Sequence, residues 1–171
     1  MEVVENEINW FAFRTKSRAE KKVHERLLDA GLYSFLPLRT EIRLWSDRKK
    51  KVIVPLISSF VFINCSKKDF RKILEIQGVV CVLKLLSKPA IIKGEEIENL
   101  RILISNIDLT KLEYTDKIFT GDYIEVIKGP LKGMSGLSVM IKGNHRLLIE
   151  ISALENKMLV DIPLSFVNKI S

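Results

Sequence analysis

The sequence has few of the residues that build metal sites, disulfide frameworks and membrane spans. Its 171 residues include two cysteines and two histidines. His24 and His145 are isolated from each other and from any cysteine cluster, so no metal site or cofactor site is predicted. Cys65 and Cys81 both lie in strand-like apolar runs, which is typical of reduced core thiols in a cytosolic protein. No apolar run reaches the roughly 18 residues that a membrane helix needs. We therefore expect a cytoplasmic protein that uses no cofactor and has no membrane partner.

Two further absences narrow the class of protein. Acidic residues near the start of the chain stand where a secretory signal would have basic residues before an apolar stretch. The sequence also shows no nucleophile–base pair and no carboxylate dyad at readable spacing. Gly129, Gly133 and Gly136 do not follow the dinucleotide or Walker pattern of a phosphate-binding loop. We therefore expect that the protein is not an enzyme.

What the chain does have is enough apolar sequence to fold, together with an uneven charge. It is 47% hydrophobic and 29% charged, with a formal net charge of +7, so its composition is not that of a disordered chain. Residues 107–171 contain eight basic and eight acidic side chains, which leaves the whole positive excess in the first 106 residues. A polyanionic partner should therefore meet that part of the chain first.

The first 106 residues alternate strand-like and helix-like patterns. Residues 9–15 are aromatic and apolar and predict a strand. Ser17 and Glu20 have the spacing of a capping box, and Gly31 suits the position just past the end of the helix that follows. Residues 32–64 have strand-like patterns. A polar, basic connection at residues 46–51 joins two of these strands, which predicts a basic hairpin. A second helix, a further strand and a third helix are predicted at residues 66–78, 79–85 and 94–104.

The last third of the chain is strand-like throughout. Gly133 and Gly136 punctuate a turn in the way of glycines that need a positive φ or a close backbone approach. Short strands are predicted at residues 122–127, 136–142, 146–152, 157–162 and 166–170, a spacing that suits a small barrel. The fold class is therefore α+β, with an N-terminal antiparallel sheet covered by helices and then a five-stranded β-barrel. The predicted boundaries are a first domain at 8–106, a linker at 107–116 and the barrel at 117–171.

The order of these elements resembles the NusG-type transcription elongation and antitermination factors. The hairpin of residues 119–141 is similar to the KOW motif, which opens a small SH3-like barrel. The aromatic strand, the predicted capped helix and the basic hairpin before it resemble the NusG N-terminal (NGN) domain. The resemblance covers about residues 8–171. The basic hairpin and the lack of extra domains look most like the specialised RfaH- and UpxY-type antiterminators of polysaccharide operons.

The resemblance implies bacterial RNA polymerase as the main partner. In this family the NGN domain binds the clamp helices of the polymerase β′ subunit through an apolar surface, reaches toward the β subunit, and suppresses pausing or termination. Where family members carry Pro-Gly-Tyr or Pro-Asn-Tyr, this chain has Ser58-Ser59-Phe60, which implies a looser turn. The residues that correspond to the polymerase-binding surface are Leu56, Ile57, Phe60 and Phe62, and those that correspond to the β-subunit contact are Lys67, Lys68 and Arg71.

These assignments compete with plainer interpretations. Phe60 and Phe62 point to the same face of their strand, because side chains alternate along it, and each fits core packing as well as polymerase anchoring. The basic side chains at the start of the second helix also fit a solvated helix face.

The basic hairpin predicts contact with DNA or nascent RNA. Such contacts would be made to phosphates, and would therefore depend on salt and not on base sequence. The competing interpretation is a solubilising hairpin tip. The predicted nucleic-acid-binding residues are Arg39, Arg43, Arg48, Lys49, Lys50 and Lys51.

The C-terminal domain is expected to recruit a second partner. In the family the KOW domain binds a ribosomal protein or a termination factor, and the corresponding loop here contains Leu154, which fits either an exposed anchor or a barrel-filling residue. We expect a monomer. The alternative function is a KOW-containing ribosomal or general RNA-binding protein, which the helices and sheet before the barrel disfavour.

Overall fold

The computed structural model describes residues 6–106, 113–114, 121–141 and 144–170. The chain divides into two compact units, Met1–Lys93 and Gly94–Ser171. The first unit contains strands β1 to β9 and helices α1 and α2. In chain order these are β1 (Asn9–Thr15), α1 (Glu20–Asp29), β2 (Tyr33–Phe35), β3 (Leu38–Leu44), β4 (Lys49–Pro55), β5 (Phe60–Cys65), α2 (Phe70–Leu74), β6 (Val79–Val82), β7 (Lys84–Leu85), β8 (Lys88–Pro89) and β9 (Ile91–Ile92).

The first unit is built on an antiparallel sheet with the strand order β2-β5-β1-β6, in which β9 also pairs with β1. Alternation along β1 sends Phe11 and Phe13 to one face and Trp10 to the other. Phe11 and Phe13 are completely buried and pack with residues of both helices, Val23 and Ile73 among them. The predicted antiparallel sheet covered by helices is thus confirmed.

The predicted capping box at the start of α1 is wrong. The residue before the helix is Ala19, and no side chain caps the helix. Glu20 is buried, and its Oε1 accepts the backbone N–H of Ser59 at 2.7 Å. Glu20 therefore connects the helix to a distant turn and does not cap it. The other end of the helix is as predicted, since Gly31 follows it with φ at 75°.

Ser66 and Asp69 form a capping box at a one-turn 3₁₀ helix, Lys67–Asp69, that leads into α2. The Asp69 carboxylate accepts the backbone N–H of Ser66 at 2.9 Å and its hydroxyl at 2.7 Å. These two bonds, the hydroxyl bond first, hold the pKa of Asp69 below its ordinary value. The charged carboxylate is thus the form that the fold prefers.

Replacing Asp69 with Ala should lower the free energy of unfolding by about 1 kcal/mol at neutral pH, the usual loss for a helix cap. Because the folded pKa is lowered, the contribution of Asp69 is complete above the unfolded value of about 4 and is lost as pH falls through the folded value. Urea unfolding between neutral pH and about pH 3 measures this. A difference between wild type and variant that stays constant across this range would contradict the assignment.

Strands β3 and β4 form a separate two-stranded hairpin beside the main sheet. Their register pairs Leu38 with Pro55 at the base and Leu44 with Lys49 toward the tip. Most of its residues are exposed. Strands β7 and β8 form a second, much shorter hairpin.

The second unit begins with helix α3 (Gly94–Asn106) and continues in strands. These are β10 (Glu113–Tyr114), β11 (Tyr123–Val126), β12 (Ser135–Ile141), β13 (Asn144–Ile151), β14 (Asn156–Asp161) and β15 (Val167–Lys169). They form an antiparallel sheet in the order β10-β14-β13-β12-β11-β15. The five predicted strands are all present, with β10 added. The all-β second domain is confirmed.

Helix α3 lies in the second unit and contacts its strands. The Asn99 side chain donates to the Ser135 carbonyl at 2.8 Å and accepts the Ser135 N–H at 3.2 Å. The Glu96 carboxylate accepts the backbone N–H of Ser152 at 3.2 Å. The predicted first domain, residues 8–106, includes this helix. The predicted domain boundaries stay a prediction, and most of the predicted linker lies outside the described residues.

Gly133, in the turn between β11 and β12, and Gly136, the second residue of β12, have the roles that the sequence predicted. Gly133 has φ at 93°, a backbone conformation that residues with a Cβ rarely adopt. Gly136 has no positive φ, but a Cβ there would collide with the backbone carbonyl of Leu148 on the neighbouring strand. Both glycines therefore determine the fold of the second unit.

Within the part of the chain that the structure describes, no helix is both long enough and apolar enough to cross a membrane.

Candidate functional site

The two units differ in charge. Residues 1–93 contain nineteen basic and ten acidic side chains, whereas residues 94–171 contain nine basic and eleven acidic ones. The positive excess of the protein therefore lies entirely in the first unit. A nucleic acid or an acidic protein surface would be attracted to that unit.

The basic hairpin has two different faces. Residues that pair directly across β3 and β4 share a face, and the face alternates along each strand. Arg43 pairs with Lys50, and Leu44 pairs with Lys49. The predicted basic run is therefore divided, with Arg48 and Lys50 on the same face as Arg43. Lys49 and Lys51 lie on the other face, beside the exposed side chains of Ile42 and Leu44.

Near the base of the hairpin, one carboxylate lies between two of the predicted nucleic-acid-binding arginines. Glu41 forms ion pairs with Arg39 and, at 3.3 Å, with Arg43. Arg39 and Arg43 lie on the same side of β3, as predicted. Their charges are partly compensated by Glu41, so the uncompensated positive charge of this face is displaced toward the tip.

The tip is a tight turn closed by two backbone hydrogen bonds. The Trp45 N–H donates to the Arg48 carbonyl at 2.8 Å, and the Arg48 N–H donates to the Trp45 carbonyl at 3.3 Å. Trp45 is 57% exposed. The Lys50 ammonium lies 5.7 Å from the centroid of its ring. An exposed indole thus stands at the end of the face that carries Arg43, Arg48 and Lys50, which we call the tip face.

The stretch predicted to bind polymerase is mostly buried. Leu56 and Ile57 are 5% exposed, and Phe62 is completely buried. Phe62 lies beside Phe35, with ring centroids 6.3 Å apart. The structure thus favours core packing over anchoring for Phe62. The assignment of Leu56 and Ile57 to a polymerase-binding surface stays a prediction. Phe60 is only half-buried.

Phe60 is the first residue of β5 and lies at an accessible end of the sheet, which we call the Phe60 edge. It pairs with Arg14 on β1, and Arg14 in turn pairs with Cys81 on β6. An open cleft of about 650 Å³ runs along this edge, lined by Arg14, Ser58, Ser59, Phe60 and residues 81–84. Of the four predicted polymerase-binding side chains, Phe60 is the one in position to contact a partner in this conformation.

The turn before Phe60 is held firmly, contrary to the expected loosening. Ser59 has φ at 63°, in the left-handed region where glycine and asparagine are usually found. Its N–H donates to Glu20, and its carbonyl accepts the Thr15 N–H at 2.8 Å. Two elements therefore fix the turn that the serine pair was expected to loosen.

A second cleft joins this turn to the base of the hairpin. It has a volume of about 560 Å³, and its lining includes Ser58 and Ser59 on one side and Arg39 and Arg43 on the other. Arg18, Lys21 and Lys22 of the α1 end also line it, with Glu20 and Glu41 as the acidic members. The hairpin and the Phe60 edge therefore belong to one continuous, mainly basic region.

The predicted β-subunit contacts lie at the start of α2. Lys68 and Arg71 are exposed, and Arg71 forms an ion pair with Glu75 at 3.4 Å. Lys67 is half-buried. An exposed pair of this kind contributes little to stability, so the group fits a solvated face as well as a contact site.

Leu154 of the second unit lies in a 3₁₀ turn, Ser152–Leu154, between β13 and β14. It is half-buried, so both of its interpretations stay open. The turn ends at Glu155, with φ at 52°.

Burial shifts the pKa values of two side chains in the first unit, Cys65 and His24. Burial raises the pKa of the Cys65 thiol to about 12, with the charge of Asp69 adding to the effect, so this thiol is an inert core group. Cys81 is exposed, which corrects the expectation of a second core thiol. Burial lowers the pKa of His24 from its ordinary value, and its ring lies 2.7 Å from the Ser34 hydroxyl. Among the residues with described positions, no group of three potential metal ligands occurs.

A family model described as "NusG: Transcription termination factor nusG" matches residues 8–101, which is more than half of the chain. The protein belongs to the NusG family. This is a family of non-enzymatic transcription factors, in agreement with the expected class. The match continues past Lys93, where the structure divides. The finer assignment to RfaH- or UpxY-type proteins does not follow from it.

The chain is similar to three solved structures. A structure described as "Domain interaction in Thermotoga maritima NusG" has a TM-score of 0.52 at 19% identity, covering 96% of this chain and 98% of that one. Two conformations of an MjSpt4:Spt5 complex match at 20% identity with TM-scores of 0.34 and 0.30. They cover 95% of this chain and 97% and 98% of theirs. Identities this low indicate at most the fold. No curated protein matched the chain.

Three parts of this candidate site do not follow from the sequence analysis above. Trp45 lies within the strand-like residues 32–64, and its place next to a basic turn is the signal that could have marked it as a candidate contact. Glu20 was assigned to a cap and instead fixes the Ser59 turn. Arg14 reaches the Phe60 edge only because β1 and β5 pair in this register, which the sequence does not show.

Proposed function

We propose that this NusG-family factor binds bacterial RNA polymerase through its first unit and acts on transcription elongation. Phe60 and the edge around it would contact the clamp helices of the β′ subunit, and the group at Lys67, Lys68 and Arg71 would face the β subunit. The hairpin would contact DNA or nascent RNA. The expected outcome is suppression of pausing or termination.

The observation that carries this proposal is the continuous region formed by the hairpin and the Phe60 edge. An accessible aromatic side chain beside Arg14 offers the apolar anchor that protein interfaces depend on. The cleft next to it contains five cationic and two acidic side chains. The family match covers all of these residues.

The second unit would recruit a further partner, a ribosomal protein or a termination factor, with Leu154 as one candidate contact. Its composition is slightly acidic, which disfavours it as the main nucleic-acid surface. The same proposal includes a role at polysaccharide operons. It also takes the protein to be a monomer in the cytoplasm.

Replacing Phe60 with Ala should weaken binding to purified core RNA polymerase by about tenfold or more, since truncation of an aromatic anchor commonly costs about 2 kcal/mol or more. Phe60→Tyr should bind at least as well as wild type, because it keeps the ring and restores the hydroxyl of the family pattern. Affinity can be measured by fluorescence anisotropy with a labelled chain.

Leu28→Ala is the matched control, because it also truncates a partly exposed apolar side chain, 49% exposed on α1. It should leave polymerase affinity unchanged. Circular dichroism must show that Phe60→Ala is folded. A folded Phe60→Ala variant with wild-type affinity would remove Phe60 from the interface.

A further inference from the structure

Trp45 was not among the predicted contacts, yet its large aromatic ring is exposed at the tip of the hairpin. A large aromatic ring that is 57% exposed at a turn buries little apolar area in the folded chain. The other tryptophan behaves differently, since Trp10 is half-buried with ring centroids 5.4 Å from Tyr33 and 6.5 Å from Phe35. Packing accounts for Trp10 and does not account for the position of Trp45.

We propose that the tip face binds an unpaired nucleic-acid strand, with a base stacked on Trp45 and the neighbouring phosphates held by Arg43, Arg48 and Lys50. This inference rests on the proposed function, in which the hairpin contacts DNA or nascent RNA. It adds the residue that would select an unpaired strand over a duplex, and the way in which that residue would do so.

The backbone positions the ring for this role. The two hydrogen bonds between Trp45 and Arg48 fix the turn, and directly paired residues extend their side chains from the same face. Lys50 lies diagonally across from Trp45 and holds its ammonium 5.7 Å from the ring centroid. One side of the indole is thus next to a cation, in the combination of stacking platform and positive charge that single-strand-binding proteins use.

The charges of the tip face are poorly satisfied by the protein. Arg43 and Lys50 are direct cross-strand partners, and like charges in that position are destabilising. Arg43 has Glu41 at 3.3 Å, and Arg48 has Asp47 at 3.9 Å in an exposed pair of little strength. A phosphate backbone along this face would relieve the repulsion.

The ligand must be unpaired, because a base within a duplex is stacked on its neighbours and has no free face for an indole. The face of an indole ring has no hydrogen-bond donor or acceptor, so a stacking contact tolerates every base. The proposed contacts reach base faces and phosphates, which DNA and RNA share. We therefore expect oligothymidylate and oligouridylate to bind within a few-fold of each other.

The decisive variant is Trp45→Leu in the full chain, tested by anisotropy with labelled oligothymidylate of about 15 nucleotides. The loss of one stacked base should weaken binding about fivefold or more, and the salt dependence should stay as in wild type because no charge is removed. Trp45→Tyr should retain most of the affinity. Leu44→Ala, on the opposite face and 78% exposed, should bind like wild type.

Fluorescence gives an independent signal from the same contact. The chain has two tryptophans, so Trp10→Phe leaves Trp45 as the only indole, and oligothymidylate should quench its emission. If Trp10→Phe does not fold, the difference between wild type and Trp45→Tyr gives the same information. An unquenched Trp45 would contradict stacking.

A duplex of the same length separates stacking from charge. Trp45→Leu should bind the duplex as wild type does, so equal losses on duplex and single strand, or no loss on either, would overturn the inference. If the chain failed to bind polymerase and Trp45→Leu still weakened oligothymidylate binding selectively, the polymerase proposal would fail alone. Wild-type polymerase binding with an unaffected Trp45→Leu variant would refute only the stacking contact.

Discussion

Replacing Gly136 with Ala is expected to destabilise the second unit by about 3 kcal/mol, at the upper end for an inserted methyl group. The added Cβ would collide with the backbone carbonyl of Leu148 and would lie 3.1 Å from Cδ1 of Leu147. A side chain could turn away, but the carbonyl belongs to β13, which pairs with β12 along five residues. Relief therefore requires moving one strand against the other, which weakens the ladder that organises the sheet.

Gly94→Ala is the control for this change, because no atom lies within 4 Å of a Cβ at that position. It lies at the first residue of α3 in the same unit, where alanine should be neutral or slightly stabilising. Urea unfolding measures the free energies, and hydrogen exchange at β12 and β13 localises the loss. Equal stability of the two variants would show that Gly136 is not needed for close approach.

Replacing Arg48 and Lys50 together with Gln is expected to weaken binding of a single strand about 25-fold at 0.1 M salt. Each phosphate contact to a single strand contributes about 0.7 to the slope of log K against log salt, so two contacts lower that slope by about 1.4. Both side chains lie on the tip face with Trp45. Anisotropy at several salt concentrations measures the affinity and the slope together.

The hairpin provides a charge-matched control. Replacing Lys49 and Lys51 with Gln removes the same charge from the opposite face, beside Ile42 and Leu44. General attraction to a positive hairpin would make the two double variants equal, because screened charges so close together act alike at a distance. We expect the control to lose affinity only a few-fold. Equal losses would mean that the hairpin has no preferred face.

The sequence was sufficient for the architecture of both units. Period-two alternation and turn glycines predict the strands, because each of these signals lies within a short stretch of sequence. The same locality explains one error and one set of contacts that the sequence does not show. Ser17 and Glu20 match a capping box, but Glu20 is drawn to the Ser59 turn on a distant segment. Helix α3 is correct as a helix, but its contacts with Ser135 and Ser152 arise from chain packing that no local pattern encodes.

The site was predictable in its composition and less so in its arrangement. The basic run was visible, yet its division between two faces depends on the register of β3 and β4. Phe60 and Phe62 share a face, as alternation predicts, but they differ in burial. Phe62 is completely buried within β5, whereas Phe60, at the start of the strand, is half-buried. The left-handed conformation of Ser59 also depends on a residue distant in sequence, because the Glu20 carboxylate accepts the Ser59 N–H.

Retention of purified bacterial core RNA polymerase on the immobilised full chain, in parallel with purified ribosomes, distinguishes a polymerase-binding factor from a ribosomal protein. We expect polymerase to be retained by the wild-type chain and largely lost with Phe60→Ala, while Leu28→Ala retains it fully. Retention of ribosomes alone would contradict the account and favour a ribosomal or general RNA-binding protein.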